Sequence, residues 1–216
     1  MSSALVPVVK VTGYIPQAIF FRKKVYYVNK AVQSKKIKGP AIIASNHTSV
    51  WDFGLYLFTF YGRTLYTLTG EIMFRKNKLL SWFLRNVGTI KVDRDIYDFS
   101  FMTECVDKLF KGKVILVFPE AKIPEPEDTD LLDFKPSFIY LALESGCPII
   151  PTYTDGHYGK KAPASILIGE PIYVQDLYDD SKDEKENIEF LCNYVRNYIK
   201  GLGDKLHAIK KEKESK

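Results

Sequence analysis

The chain has 216 residues, of which 46% are hydrophobic and 14% are aromatic. This apolar content excludes an intrinsically disordered chain, and the length suits a single domain over residues 1–216 with a substantial core. The formal net charge of +5 is a mild basic excess. It is compatible with anionic lipid headgroups, phosphorylated substrates or nucleic acid, and it selects none of these partners.

The cysteines and the lengths of the apolar stretches indicate in which cellular compartment the protein is expected. Cys105, Cys147 and Cys192 are odd in number and lie far from any metal-ligand spacing, so we expect a reducing cytoplasm. No apolar stretch approaches the length of about 18 residues that suggests a transmembrane helix. Residues 1–9 lack the basic and apolar regions of a secretory signal, so we expect none.

The first 30 residues allow two interpretations. From Tyr14 the sequence is apolar and aromatic, and it holds the basic triplet Arg22-Lys23-Lys24. Aromatic side chains at the boundary and cations facing lipid phosphates are typical of an interfacial membrane segment. The same stretch is equally compatible with a leading helix and strand that pack on the core.

Strands and helices alternate along the rest of the chain. A short β-branched run at Ala41–Ala44 predicts a buried strand, and a helix is expected from Val50 to about Tyr61. Further strands are expected at 64–69, 89–92, 114–118, 149–153 and 165–169, and further helices at 78–86, 100–111 and 136–145. This alternation predicts an α/β fold whose mixed, largely parallel sheet is covered by helices on both faces.

The segment 181–216 is expected to be a C-terminal helix with a charged tail. Ser181-x-x-Glu184 matches a capping box, which would start the helix. Apolar residues then recur at spacings of three and four, which indicates packing on the core. Gly201 and Gly203 are the positions where this helix could break.

Three polar residues each lie two or three positions after a predicted strand: His47, Arg94 and Glu120. Ligands in α/β sheets bind at the carboxyl ends of strands, so these residues are candidates for one site. Taken singly, Arg94 is better explained as a solvated charge between two aspartates, and the alternative for Glu120 is an acid in a strand-end loop.

His47 and Asp52 lie five residues apart. On a regular helix this spacing would separate their side chains by about 140°. They can therefore meet only if His47 lies in the turn before the helix. If they meet, the carboxylate holds one ring N–H and leaves the other nitrogen as a base. The pair alone is better explained as a histidine at a helix cap.

Four blocks in order resemble the glycerolipid acyltransferase family. They are Asn46-His47-Thr48-Ser49-Val50-Trp51-Asp52, Gly88-Thr89-Ile90-Lys91-Val92-Asp93-Arg94, Val117-Phe118-Pro119-Glu120 and Cys147-Pro148-Ile149-Ile150-Pro151. The resemblance extends over residues 40–172 and includes Phe134-Lys135 and Ile168-Gly169-Glu170-Pro171-Ile172.

The resemblance implies a function and a set of site residues. The family moves an acyl group from an acyl thioester, carried by coenzyme A or acyl-carrier protein, to a lysophospholipid. The expected acceptor is 1-acylglycerol-3-phosphate, which would give phosphatidic acid at the cytoplasmic face of a membrane with an anionic surface. His47 would be the general base and Asp52 its orienting partner, while the acceptor would contact Arg94, Glu120, Lys122 and Lys135. The family resemblance implies neither a resident cofactor nor a metal.

Three departures from the family pattern leave the acceptor open. Ala121 stands where the family has glycine, and Lys122 supplies a basic residue one position early. The loop at 125–130 is acidic, and no lysine stands directly before Glu71. The alternatives are transfer to another lysolipid and an inactive lipid-binding relative. A nucleic-acid module is least expected, since the basic residues follow no recognised pattern. A metal hydrolase would need more ligands than His47 and Asp52.

Overall fold

A computed structural model describes residues 3–92, 100–125, 127–128, 130–159 and 162–214. Within this part of the chain the helices are α1 Val6–Thr12, α2 Tyr14–Phe21, α3 Asp52–Thr59, α4 Glu71–Arg75, α5 Lys78–Asn86, α6 Ser100–Phe110, α7 Ser137–Ser145 and α8 Glu184–Glu214. The strands are β1 Lys24–Tyr27, β2 Ala41–Ser45, β3 Leu65–Gly70, β4 Thr89–Val92, β5 Val114–Val117, β6 Ile149–Thr154 and β7 Ser165–Ile168.

The described strands form one sheet in the order β1-β7-β6-β2-β5-β3-β4. All neighbouring pairs are parallel except β6 and β7. Strand β2 lies at the centre, where Ile42 is in register with Ile115 on one side and Ile149 on the other. The sheet is therefore mixed and largely parallel, as the sequence predicts.

Helices cover both faces of the sheet, and the central strands alternate between two cores. Ile42 and Ile115 belong to the same core as Leu109 of α6, Phe138 of α7 and Leu191 of α8. The alternate positions belong to the opposite core, which is built from Ala41, Ile43, Val114, Leu116, Phe21, Leu55 and Tyr56. Strands buried on both faces read as continuous apolar runs, which explains the sequence of β2 and β5.

The N-terminal segment packs on the domain and also exposes apolar side chains. Strand β1 pairs with β7, and Phe21 of α2 is buried. The Lys10 ammonium donates to the carbonyl oxygens of Tyr61 and Arg63 at 2.6 Å each. Burial lowers the pKa of Lys10 to about 8. The outer side of α1 and α2 nevertheless exposes a group of side chains at 55–71%, namely Val8, Val11, Tyr14, Ile15 and Ile19.

No helix in the described ranges is both long and apolar enough to cross a bilayer. The pairing of β1 with β7 and the burial of Phe21 agree with one of the two interpretations of the N-terminal segment, a leading helix and strand packed on the core. Contact with a membrane surface stays a prediction.

The C-terminal helix differs from its expected form in two respects. Asp183 caps α8, since its carboxylate accepts from the Glu186 amide at 2.7 Å, whereas Ser181 bonds Asp179 instead. The predicted capping box is thus wrong, because an aspartate stands nearer to the helix start. The helix also continues through both glycines. At Gly203 a side chain would meet the Tyr153 ring at 2.8 Å, so this glycine permits close packing of α8 on β6.

Candidate active site

Residues 46–51 connect the end of β2 to the start of α3, and Asn46 fixes the beginning of this loop. Its side-chain amide donates to the Thr154 carbonyl at 2.9 Å and accepts from the Thr154 amide at 2.8 Å. Asn46 is buried, so this reciprocal pair is shielded from water. The first residue of the Asn-His block therefore attaches the loop to the end of β6.

His47 and Asp52 meet as the turn geometry requires. His47 lies in the loop, and Asp52 is the first residue of α3. The distance from His47 Nδ1 to Asp52 Oδ2 is 2.7 Å. The Asp52 side chain is fully buried, whereas that of His47 is 20% exposed. Because an ionised carboxylate only accepts, Nδ1 carries the hydrogen and Nε2 keeps its lone pair for a reacting group.

Asp52 accepts further hydrogen bonds that fix its orientation. The Thr48 and Ser49 amides donate to Oδ2 at 2.7 and 3.0 Å, and the Thr48 hydroxyl donates to Oδ1 at 2.9 Å. The Tyr158 hydroxyl also donates to Oδ1. A carboxylate held from so many directions has little freedom to rotate, and it therefore holds the imidazole in one orientation.

Tyr158 is the site residue that the sequence reasoning missed. It follows β6 in the chain and lies 106 residues from Asp52. Burial and the adjacent Asp52 charge raise the pKa of its hydroxyl, which therefore remains a donor. Its ring packs edge-on against Phe21 of α2 at 5.8 Å between centroids. No local pattern marks this tyrosine, since only the fold brings it to Asp52.

Phe118 supports the imidazole from one side. The two rings are stacked, with centroids 4.4 Å apart and planes inclined by 17°. Phe118 directly follows β5, so the Phe-Pro-Glu block contributes a wall to the Asn-His block. One face of His47 is thereby covered.

Glu120 joins the same two blocks through the backbone. It is 3% exposed, and Oε1 accepts from the His47 amide at 2.7 Å. Oε2 accepts from the Leu132 amide at 3.0 Å. Burial raises the pKa of this carboxyl above its ordinary value. Glu120 thus holds the His47 turn, while its expected contact with an acceptor stays a prediction.

The structure describes two of the three cations that are expected to contact the acceptor. Lys122 and Lys135 are exposed, and the Lys135 amide donates to the Pro119 carbonyl at 2.8 Å. Their roles in binding remain predictions. Arg94 lies outside the residues that the structure describes. Glu71, which has no lysine directly before it, is paired with Lys91 at 3.2 Å.

Two departures from the family pattern have a structural counterpart. Ala121, in the place of a glycine, has φ of 61° in the left-handed region that favours glycine. In the acidic loop, Asp130 pairs with Lys200 of α8 at 2.6 Å. Part of the negative charge in this loop is therefore neutralised within the protein.

Comparison with known proteins agrees with this arrangement. The model of the Acyltransferase family matches residues 10–155, which include all four blocks. A crystal structure of the 1-acyl-sn-glycerophosphate (LPA) acyltransferase PlsC from Thermotoga maritima is similar with a TM-score of 0.60 and 20% sequence identity. The match covers 92% of this chain and 79% of that one, and at this identity it shows a common fold. The chain therefore belongs to the Acyltransferase family, and the glycerolipid acyltransferase resemblance of its four blocks is confirmed.

Proposed function

We propose that this acyltransferase moves a fatty acyl group from an acyl thioester to the hydroxyl of a lysophospholipid, with 1-acylglycerol-3-phosphate as acceptor and phosphatidic acid as product. The observation that carries the proposal is the 2.7 Å contact between His47 Nδ1 and the buried Asp52 carboxylate. A histidine so oriented is suited to take a proton from an alcohol.

In the proposed reaction His47 Nε2 removes the proton from the acceptor hydroxyl as its oxygen attacks the thioester carbonyl. The C–O bond forms, the C–S bond breaks, and the leaving thiolate takes the proton back from the imidazolium. Asp52 stabilises the imidazolium through Nδ1. No covalent enzyme intermediate and no resident cofactor are needed, because the donor already carries an activated acyl group.

The acceptor phosphate is proposed to bind Arg94, with Lys122 and Lys135 adding positive charge. A guanidinium offers two parallel N–H donors to a phosphate, which favours it over a lysine for this role. The pairing of Asp130 with Lys200 supports an anionic acceptor, since it reduces the negative charge of the neighbouring loop.

The site is proposed to operate at the cytoplasmic face of an anionic membrane. The exposed apolar side chains of α1 and α2 support this, since they would otherwise face water. Tyr158 packs on Phe21 while it bonds Asp52, so α2 is also linked to the catalytic region.

Product identification by mass spectrometry tests the proposal. Purified protein is incubated with a panel of lysolipids, with acyl-coenzyme A and acyl-carrier protein as separate donors. We expect phosphatidic acid from 1-acylglycerol-3-phosphate, and about 10²–10⁴-fold slower formation of it by the His47→Ala variant. If another lysolipid is the one acceptor that gives a product, the proposed acyl transfer is retained and 1-acylglycerol-3-phosphate is rejected as the acceptor. No product with any pair would favour an inactive lipid-binding relative.

A further inference from the structure

Helices α4 and α5 carry an apolar surface that the proposed reaction does not use. Leu79 is 75% exposed, Trp82 is 54% exposed and Phe83 is 37% exposed. Their spacing of three and four residues aligns them on one side of α5. Leu80 and Leu84, on the adjoining side, are half-buried against the protein. The apolar side of α5 is therefore wider than the surface that packs against the rest of the protein, and part of it is exposed to solvent.

Basic side chains border this arc. Residues 72–92 contain five cations, Arg75, Lys76, Lys78, Arg85 and Lys91, and no aspartate or glutamate. Glu71, directly before this stretch, pairs with Arg75 at 3.1 Å and with Lys91 at 3.2 Å. Arg75, Lys78 and Arg85 line a cavity of about 360 Å³, whose other walls are Phe74, Asn77, Ser81 and Trp82. Since Arg75 is paired with Glu71, Lys78 and Arg85 are the donors that this cavity offers to an anion, next to an aromatic wall. Arg75, Lys78 and Arg85, together with Leu79, Trp82 and Phe83, are called the α5 face below.

We propose that the α5 face binds the surface of an anionic bilayer, with the phosphate of a phospholipid headgroup in the basic cavity and Leu79, Trp82 and Phe83 at the acyl boundary. Charge complementarity favours lipid over a second copy of this chain, since two copies would bring like charges together. Tryptophan and basic residues beside an apolar stripe are also the composition of interfacial helices.

The location of the α5 face supports the same partner. Helix α4 begins directly after the carboxyl end of β3, at the edge of the parallel strands where His47 also lies. The Leu5 amide donates to the Asn86 carbonyl at 3.0 Å, so the start of α1 is attached to the end of α5. One bilayer could thus meet both α5 and the N-terminal helices near the site.

The two tryptophans of the chain allow a direct test, since Trp82 belongs to the α5 face and Trp51 contacts Phe20 of α2 at 5.0 Å between ring centroids. In the Trp51→Phe variant, Trp82 is the single fluorescent reporter. Vesicles of phosphatidylcholine alone are compared with an equal mixture of phosphatidylcholine and phosphatidylglycerol. We expect the Trp82 emission to shift to the blue with the anionic vesicles, and brominated lipid to quench it.

Variants separate the apolar from the charged contribution. The Leu79→Ser/Phe83→Ser variant should lower the vesicle partition coefficient by about tenfold or more. Lys78→Gln and Arg85→Gln should each lower it by about fivefold, at low salt and with anionic vesicles only. Phe110→Ser and Lys185→Gln are matched controls on exposed positions of α6 and α8, and they should leave it unchanged.

Three results would overturn the proposal. The first is an unchanged, unquenched Trp82 emission while Trp51, in the Trp82→Phe variant, responds to the vesicles. The second is a dimer in lipid-free buffer that Leu79→Ser/Phe83→Ser dissociates, since a second copy would then cover the α5 face. The third is displacement from vesicles by inorganic phosphate at matched ionic strength, which would assign the cavity to the free ion. None of these measurements depends on acyl transfer, so the proposed function is tested separately.

Discussion

The carboxylate of Glu120 accepts a hydrogen bond from the backbone amide of His47 at 2.7 Å, across 73 residues of chain. Its second oxygen binds the Leu132 amide, so one buried side chain connects the histidine turn to the loop before α7. The Asn-His block and the Phe-Pro-Glu block are thereby joined by a buried hydrogen bond.

Replacement of Glu120 by glutamine distinguishes a positioning role from acceptor binding. Glutamine has one acceptor oxygen, so one of the two amides would face an NH₂ group. We expect a loss of about 1–3 kcal/mol in the free energy of unfolding and a lower kcat. Denaturant unfolding and steady-state kinetics measure both, with the exposed Glu189→Gln as control. A raised acceptor KM with unchanged stability would instead make Glu120 a substrate ligand.

The Glu120→Gln variant should also change how the free energy of unfolding depends on pH. Burial raises the pKa of Glu120 above its ordinary 4.5, so the folded protein binds more protons than the unfolded chain in the window above 4.5. The contribution of Glu120 to stability therefore falls as the pH rises through that window. The glutamine variant should lack this component of the pH dependence.

Tyr158→Phe removes one donor to Asp52 and keeps the ring that packs on Phe21. The carboxylate then becomes more basic, which favours the imidazolium form of His47. We expect kcat to fall by about tenfold and the acidic limb of its pH profile to move to higher pH, with little change in KM. Tyr173→Phe, at an exposed position, is the control. A pH profile identical to that of the unmodified protein would make Tyr158 purely structural.

Ala121→Gly should stabilise the protein. An alanine in the left-handed region costs about 1–2 kcal/mol, which glycine avoids, although glycine loses more chain entropy on folding. We therefore expect a gain of about 1 kcal/mol in the free energy of unfolding. Ala208→Gly in the exposed part of α8 should lose about the same amount. Equal losses in the two variants would show that position 121 is not strained.

The sequence predicts the α/β class and the positions of most strands because buried parallel strands are continuous apolar runs, as in Ala41–Ala44 and Val114–Val117. The His47–Asp52 meeting is implied by the family resemblance of the blocks, since the spacing alone leaves a histidine at a helix cap as the better explanation. Tyr158 could not be predicted, because its contact with Asp52 depends on where β6 ends in space. The hydrogen bonds from the His47 and Leu132 amides to Glu120 could not be predicted either, since a sequence does not reveal which amides a carboxylate contacts.

We expect replacement of Arg94 to weaken binding of the acceptor but not binding of the donor. Loss of a charge-assisted hydrogen bond to the phosphate should raise the acceptor KM of Arg94→Ala about ten- to hundredfold and leave the donor KM nearly unchanged. Arg94→Lys should recover only part of this loss, because an ammonium cannot form the two parallel bonds. An equal loss for phosphorylated and unphosphorylated acceptors would mean that Arg94 does not contact the phosphate.

The most direct test of the His47–Asp52 mechanism is the acyl-transfer rate of His47→Ala. Asp52 keeps its bonds from Thr48, Ser49 and Tyr158 in this variant, so we expect the fold to persist. Loss of the base should lower kcat by about 10²–10⁴-fold, while Asp52→Asn should lose less and His207→Ala should keep full activity. A folded His47→Ala variant that transfers acyl groups at nearly the original rate would contradict the assignment of His47 as the general base.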